Sequence, residues 1–590
     1  MLGQMVGYRL RGPTSASLSL VATIETANAD DIILQKGTTF LSVDNLVFEF
    51  VEDQIIPAGS TSATVTAVQG TTITDVFTSD GSEFQEFKLT SPSVIEGTVS
   101  IDVDGFDWTE VESLVYSSSS DESYQLRYDV DDYVYVKFGN NTSGMIPSNG
   151  STITVSYRVG GGIIGNINIG DIDNVNVNGL VFGSSPEEFI PVTLFNQERG
   201  SGGEDRETLD HAKFWIPRFV TTNGRAVTEA DFDTLASLFT DPIYGAPAYA
   251  KARLKQRIPE LNTVELFVWA RDSEGDIVAP SSGLKGAIQD YFDNNGSGAI
   301  RLITVDTEVK DGNLLYIDVS CNVTPDGSIP QSDVIQNVKN SIESYFTSAS
   351  NQPGADVRIS KIYNLIQTTD GVSHGVVDRI TASYFTDETI GISDGVNPQW
   401  DYTAYHQIIA STVTITCDTY TITDDGEGNL TGDVDPSYSN VVDYDAGTLS
   451  FKFNTPIPPN GSVININYRY PRSYIRSEYD MTFTKNGVNK RFKGKVKYPP
   501  VVPNTFAFTD ASQTVIDNGD GLIVGDTDVD GINTIDYDTG AFDITLSAAP
   551  SSDQIVSASY EQLLSLNTGD IPVDEDQMPV KGFIDVGLES

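Results

Sequence analysis

The chain has 590 residues, with 83 Asp and Glu against 35 Lys and Arg, giving a net charge of −48. That length requires several separate cores, and a 39% hydrophobic content excludes a disordered tail. The negative field repels nucleic acid and anionic lipid, so neither is expected as a direct partner.

No run of about 18 apolar residues occurs, so no membrane-spanning helix is expected. The opening "MLGQMVGYRLRGPTSA" lacks the basic-then-apolar pattern of a secretory signal. Two cysteines, Cys321 and Cys417, are too few for a disulfide framework and read as small strand residues. Val, Ile, Thr, Tyr and Phe recur in short alternating runs, which favours strands. Leu18, Leu20 and Ile24 begin such a run, and strands continue to about Val159. "VFGSSPEEFIPVTLFNQ", residues 181–197, reads as a boundary linker.

Helical spacing then appears in "GGEDRETLDHAKFWIPRF". In "VTEADFDTLASLF", Thr228 and Asp231 form a capping-box pattern ahead of Phe232, Leu235 and Leu238. "NTVELFVWA" and "LLYIDVSCNVT" read as strands, interleaved with the helices "SGLKGAIQDYFDNN" and "SDVIQNVKNSIESYF". This alternation predicts α/β or α+β modules between about 200 and 377.

Beyond about 380 the chain is again β. "ITDDGEGNLTGDVDPSYSNVVDYDAGTLSFKF" and "VIDNGDGLIVGDTDVDGINTIDYDTGAFDITL" align without a gap through DxGxG, GDxD and DYD-Gly turns. Two copies predict two tandem β-sandwich-like domains rather than a solenoid. The expected fold is therefore multi-domain and mainly β, with central α/β or α+β modules.

One phrase is used twice: "IPSNGSTITVSYRVGGGIIGNI" at 146–167 and "IPPNGSVININYRYP" at 457–471. In each, a Pro and an Asn-Gly turn precede a half-buried strand ending in Tyr-Arg. Only the first continues into glycines.

The first copy and its surroundings resemble the baseplate J-like family, the wedge proteins of contractile phage tails. Phe138, Gly139, Gly144, Pro147, Gly150, Tyr157 and Arg158 occupy the places of the family's first signature. Its Gly triplet and Gly-Asn fall on Gly160, Gly161, Gly162, Gly165 and Asn166. Gly202, Gly203, Asp205, Arg225, Ala226, Val227, Thr228 and Asp231 are similar to the second signature. "PGADVRISKIYNLIQTTDGV", residues 353–372, resembles the closing segment. Together these motifs span roughly residues 5–380.

The resemblance implies a non-enzymatic subunit without a cofactor. It implies a ring around the tail hub that transmits the trigger for sheath contraction, with two copies per wedge and six wedges. Expected partners are copies of itself and other wedge, hub and sheath-initiator proteins, with tail fibres reached through the C-terminal β domains. The expected location is the virion baseplate, after assembly in the host cytoplasm. The alternative is a host-recognition fibre or adhesin whose repeats bind a receptor. Members usually carry a helical segment before the "GYRLR" position, and here the chain opens almost directly at it. The expected domains are 1–190 (mainly β, baseplate-J-like), 191–300 (α+β, wedge) and 301–380 (second α/β module, a candidate for dimerisation). Residues 381–498 and 499–565 are the two C-terminal β repeats, and 566–590 a tail.

Gly160, Gly162 and Gly165 also satisfy GxGxxG, but no amphipathic helix follows to meet a phosphate. The plain reading is glycine freedom at a domain corner, or a hinge. Asp526, Asp528 and Asp530 spell the front of a calcium loop, but its twelfth position is Tyr537. Side chains capping their own turns are the competing reading. His211, His374 and His406 lack ligand spacing, and no GxSxG, HExxH or Walker pattern is present.

Overall fold

A computed structural model gives the fold. It describes residues 8–588 apart from 9, 130–132, 185, 255–262, 294–299, 303, 348–350, 419, 445, 472, 479–489, 497–500, 502–504, 510–512, 520, 530, 538–539, 551–556, 564, 567–570, 572 and 575. The protein is a multi-domain, mainly β chain. Its contacts gather into two units: residues 1–313 with 352–354 and 574–578, and residues 314–351 with 355–573 and 579–590.

In the first unit, the alternation of Leu18, Leu20 and Ala22 gives strand Ser17–Thr23 one fully buried face. This strand sits mid-sheet between Ser62–Gln69 and Phe189–Asn196 in an eight-stranded sheet. The expected linker at 181–197 is thus corrected. Val175–Val181 and Phe189–Asn196 pair as antiparallel strands, and Val192 and Leu194 point into the core. Its Pro, Gly and Glu residues obscured an alternation only a few residues long. A seven-stranded sheet follows, with Thr152–Val159 between Thr71–Thr78 and Ser100–Val103. Trp108, Tyr124, Phe138, Ile153, Val155 and Tyr157 fill its core.

Helix α1, Leu209–Thr222, begins at Thr208, whose hydroxyl accepts from His211 N. Helix α2, Glu229–Ser237, carries the expected capping box: Thr228 Oγ1 accepts from Asp231 N and Asp231 Oδ2 from Thr228 N. Helix α3, Ser282–Asp293, buries Leu284, Ile288 and Phe292 beside strand Asp306–Asp311, which runs parallel to Thr263–Arg271.

In the second unit, strand Asn313–Pro325 alternates strictly, placing Leu315, Ile317, Val319, Cys321 and Val323 under helices α4, Gln331–Thr347, and α5, Ile359–Thr368. Its neighbour is a single 21-residue strand, Val372–Ile392. The early part of that strand pairs with Asn313–Pro325, and its later part with Val463–Pro471 of the first tandem repeat. One strand therefore runs from the α/β module into the β repeat. On its other edge Asn313–Pro325 pairs with Gln577–Leu588, from the stretch expected as a tail. Ile571, Val573 and Val586 enter the α/β core.

The tandem repeats share their wiring. Asp424 accepts from Tyr444 OH at 2.8 Å, and Asp517 from Tyr537 OH at 2.9 Å. The same two hydroxyls accept from Gly428 N and Gly521 N. Asn440 and Asn533 each donate to a carbonyl, of Asp435 and Asp528, and accept one backbone N–H across the turn. The repeated DxGxG and DYD-Gly residues thus brace each repeat's turns.

Candidate functional site: a glycine-lined junction

The two signatures, some forty residues apart in sequence, meet. After strand Thr152–Val159, residues 160–167 turn beneath 14–16 and lie against 200–205. Gly161 N donates to Gln69 Oε1 at 2.6 Å, and Gly162 N to Thr14 O at 2.9 Å. Asn166, fully buried, uses its amide as a peptide group: Nδ2 donates to Gly203 O and Oδ1 accepts from Gly203 N. Asp205 Oδ1 accepts from Ile163 N at 3.2 Å. Thr14 exchanges a backbone bridge with Glu204, and its hydroxyl donates to Gly202 O.

Backbone here packs on backbone. A Cβ on Gly203 would stand 2.5 Å from Gly162 O, and one on Gly161 would stand 2.9 Å from Thr14 O. Gly202 (φ +91°) and Gly245 (φ +75°) face each other so closely that either Cβ would come within 2.0 Å of a carbonyl oxygen opposite. This is why the first phrase needs its Gly tail. The second phrase ends at Tyr470 and Pro471 within an ordinary strand pair.

The shared Tyr-Arg has one role in both copies. Tyr157 OH donates to Asp75 at 2.9 Å, and Tyr468 OH to Glu388. The next residue, a buried arginine, reaches into adjoining structure. Arg158 donates to the carbonyls of Val68 and Gln69 and faces Glu49 at 3.8 Å. Arg469 holds Asp318 at 2.8 Å, with its guanidinium over the rings of Tyr316 and Phe583. Replacing Arg469 with Met strands a largely buried Asp318 carboxylate, so a loss of about 3 kcal/mol is expected in chemical denaturation. Asp318→Asn with Arg469→Met should recover part of it.

Glu204 sits among Arg271, 3.3 Å from its Oε2, and the charges of Arg11 and Asp205. Burial pushes its carboxyl up to about 7, against the pull of Arg271. The folded chain therefore keeps a proton that the unfolded chain releases near 4.5. Its stability contribution is full below pH 4.5 and is lost as pH rises to about 7, by at most ~1.4 kcal/mol per pH unit. Glu204→Gln should flatten hydrogen-exchange protection of residues 11–17 across that window; an unchanged slope would refute this.

The other signature residues lie apart from the junction. Phe138 is core, edge-on to Trp108. Gly139 packs against Gly144, where a Cβ would stand 2.1 Å from the Gly144 carbonyl oxygen. Pro147 O accepts from Ser79 Oγ, and Gly150 (φ +89°) turns in open space. Arg225 and Val227 are exposed beside the α2 cap formed by Thr228 and Asp231. Sequence reading missed Thr14, Gln69, Glu204 and Gly245. Only Glu204, inside "GGED", and Gly245, inside a turn, carried any local signal.

After the glycines stands only a three-residue 3-10 turn, Ile163–Gly165. Asp526 Oδ2 caps Thr514 N and Asp528 faces Lys490 at 3.5 Å, while Asp530 falls outside the described residues. Among the described residues no three His, Cys, Asp or Glu side chains gather as a metal cluster. His211 bridges Glu207 and Trp215, His406 stacks on Tyr470, and His374 lies on the strand Val372–Ile392. Cys321 and Cys417 are buried and free.

These features define a multi-domain, mainly β chain whose signature residues shape backbone contacts. Residues 317–397 match the family model described as Baseplate J-like protein C-terminal domain, a span that includes the closing motif at 353–372. Within the chain, residues 317–397 are thus similar to the C-terminal domain of baseplate J-like proteins. Among solved structures, it is similar to a chain in "Cryo-EM structure of the anti-feeding prophage (AFP) baseplate, 6-fold symmetrised". That match has 14% identity and a TM-score of 0.23, covering 64% of this chain and 74% of the other. No curated protein matches the sequence.

Proposed function

We propose that the chain is a wedge subunit of the baseplate, present as two copies in each of six wedges. It forms the ring around the hub and passes the contraction trigger to the sheath, as a framework whose interfaces hold two arrangements. The observation that carries this reading is the Baseplate J-like C-terminal domain at 317–397. The backbone-packed junction supports it: a corner with no room for a Cβ suits a subunit that transmits force without deforming. Hub, sheath-initiator and other wedge proteins are its partners, through permanent interfaces of about 2,000 Å² or more. The tandem β repeats reach towards fibres. It assembles in the host cytoplasm and ends in the virion.

Antibody against the C-terminal repeats, imaged on assembled particles, tests this. Label around the baseplate in six-fold array is expected. Label confined to fibre tips would replace the wedge with a receptor-binding fibre.

A further inference from the structure

Helix α1 buries Ala212, Trp215 and Thr222 on its inner face. Its outer face is apolar where a solvated helix would be polar. Leu209 is 67% exposed, Val220 47% and Phe214 38%, with Pro217 exposed among them. Large apolar groups clustered on one face mark interaction sites. Two cations share it. The Arg218 guanidinium lies 3.7 Å above the Phe214 ring and donates to Phe214 O at 2.8 Å, so it is held in place before any partner arrives. Lys213 pairs with Asp210, and both are far in solvent. Ordered aromatic and Arg groups are the side chains that dominate interface energies.

We propose that this outer face of α1 docks onto an acidic face of a second copy of the chain. The argument for that occupant is charge. A positive apolar patch on a chain of net charge −48 finds its complement on nearly any other surface of a copy. The first tandem repeat, residues 383–470, is one such surface, with 12 Asp and Glu against two basic residues. Two α1 faces would repel each other, so the contact joins unlike surfaces. A head-to-tail contact of that kind closes into a ring when its rotation closes. The inference rests on the wedge reading, which sets copies side by side.

Sedimentation velocity of the full chain across concentration and ionic strength tests it. The wild type should self-associate, less so as salt rises. Phe214→Ala with Arg218→Glu should weaken association about tenfold or more. Val220→Asp, on the same face, is a second probe should the first variant misfold. A wild type that stays monomeric, or variants that associate as it does, would overturn the contact. The wedge reading fails separately: labelled wild-type chain absent from the baseplate sinks it, whereas six-fold label with unaltered variant association sinks only the α1 contact.

Discussion

Replacing Gly202 with valine should cost the first unit about 4 kcal/mol or more and lower its melting point by roughly 10 °C. Two separate penalties act. The backbone at φ +91° disfavours any L side chain by about 1–2 kcal/mol. The added Cβ would also stand 2.0 Å from Tyr244 O, and that carbonyl belongs to backbone wedged against Gly202. Relief would require parting 200–205 from 241–246, and with them Thr14 and Asn166. Gly150→Ala is the control. Its φ is +89°, yet nothing lies within 4 Å of the site, so only the strain of about 1 kcal/mol should appear. Calorimetry on both variants decides; equal losses would mean that the junction is not tightly packed.

A chain ending at Leu566 should lose the fold of the α/β module while both β repeats survive. Such a truncation removes Ile571, Val573 and Val586 from the core shared with Val319, Ile362 and Ile366. Three buried aliphatic side chains are worth about 6 kcal/mol, comparable with the whole stability of a domain. It also strips Gln577–Leu588 from the edge of Asn313–Pro325 and frees Asp318 from the N–H of Phe583. The repeats keep their own cores around Phe451 and Tyr468, and around Phe508 and Phe542. Hydrogen exchange should therefore rise across α4 and Asn313–Pro325 and stay low at 414–417 and 541–545. Protection unchanged in α4 would contradict this account.

The residues that speak through local pattern were legible early. Thr228 and Asp231 announce the α2 cap because the hydrogen bonds they form span only three residues. The DxGxG and DYD-Gly turns announce a repeated fold because each Asp acts within its own repeat. Leu18, Leu20 and Ala22 show a buried strand face through period two alone. The glycines of the first signature were visible as glycines, but what crowds them was not. Thr14, Gln69 and Gly245 reach Gly160–Gly162 and Gly202 from as far as 188 residues away, and no spacing rule connects them. The stretch at 181–197 and the final strand were misjudged for a related reason. Their pairing partners, Ser17–Thr23 and Asn313–Pro325, lie about 170 and 260 residues earlier.

By itself, then, the sequence determined the strand and helix content, the tandem repeats and the family resemblance, since each is written in local periodicity and motif order. Tertiary structure alone decided which backbones press together at the glycine junction, which carboxylate each Tyr-Arg pair finds, and that Gln577–Leu588 completes the α/β module. Those contacts depend on long loops closing, and loop closure leaves no mark on the residues in between.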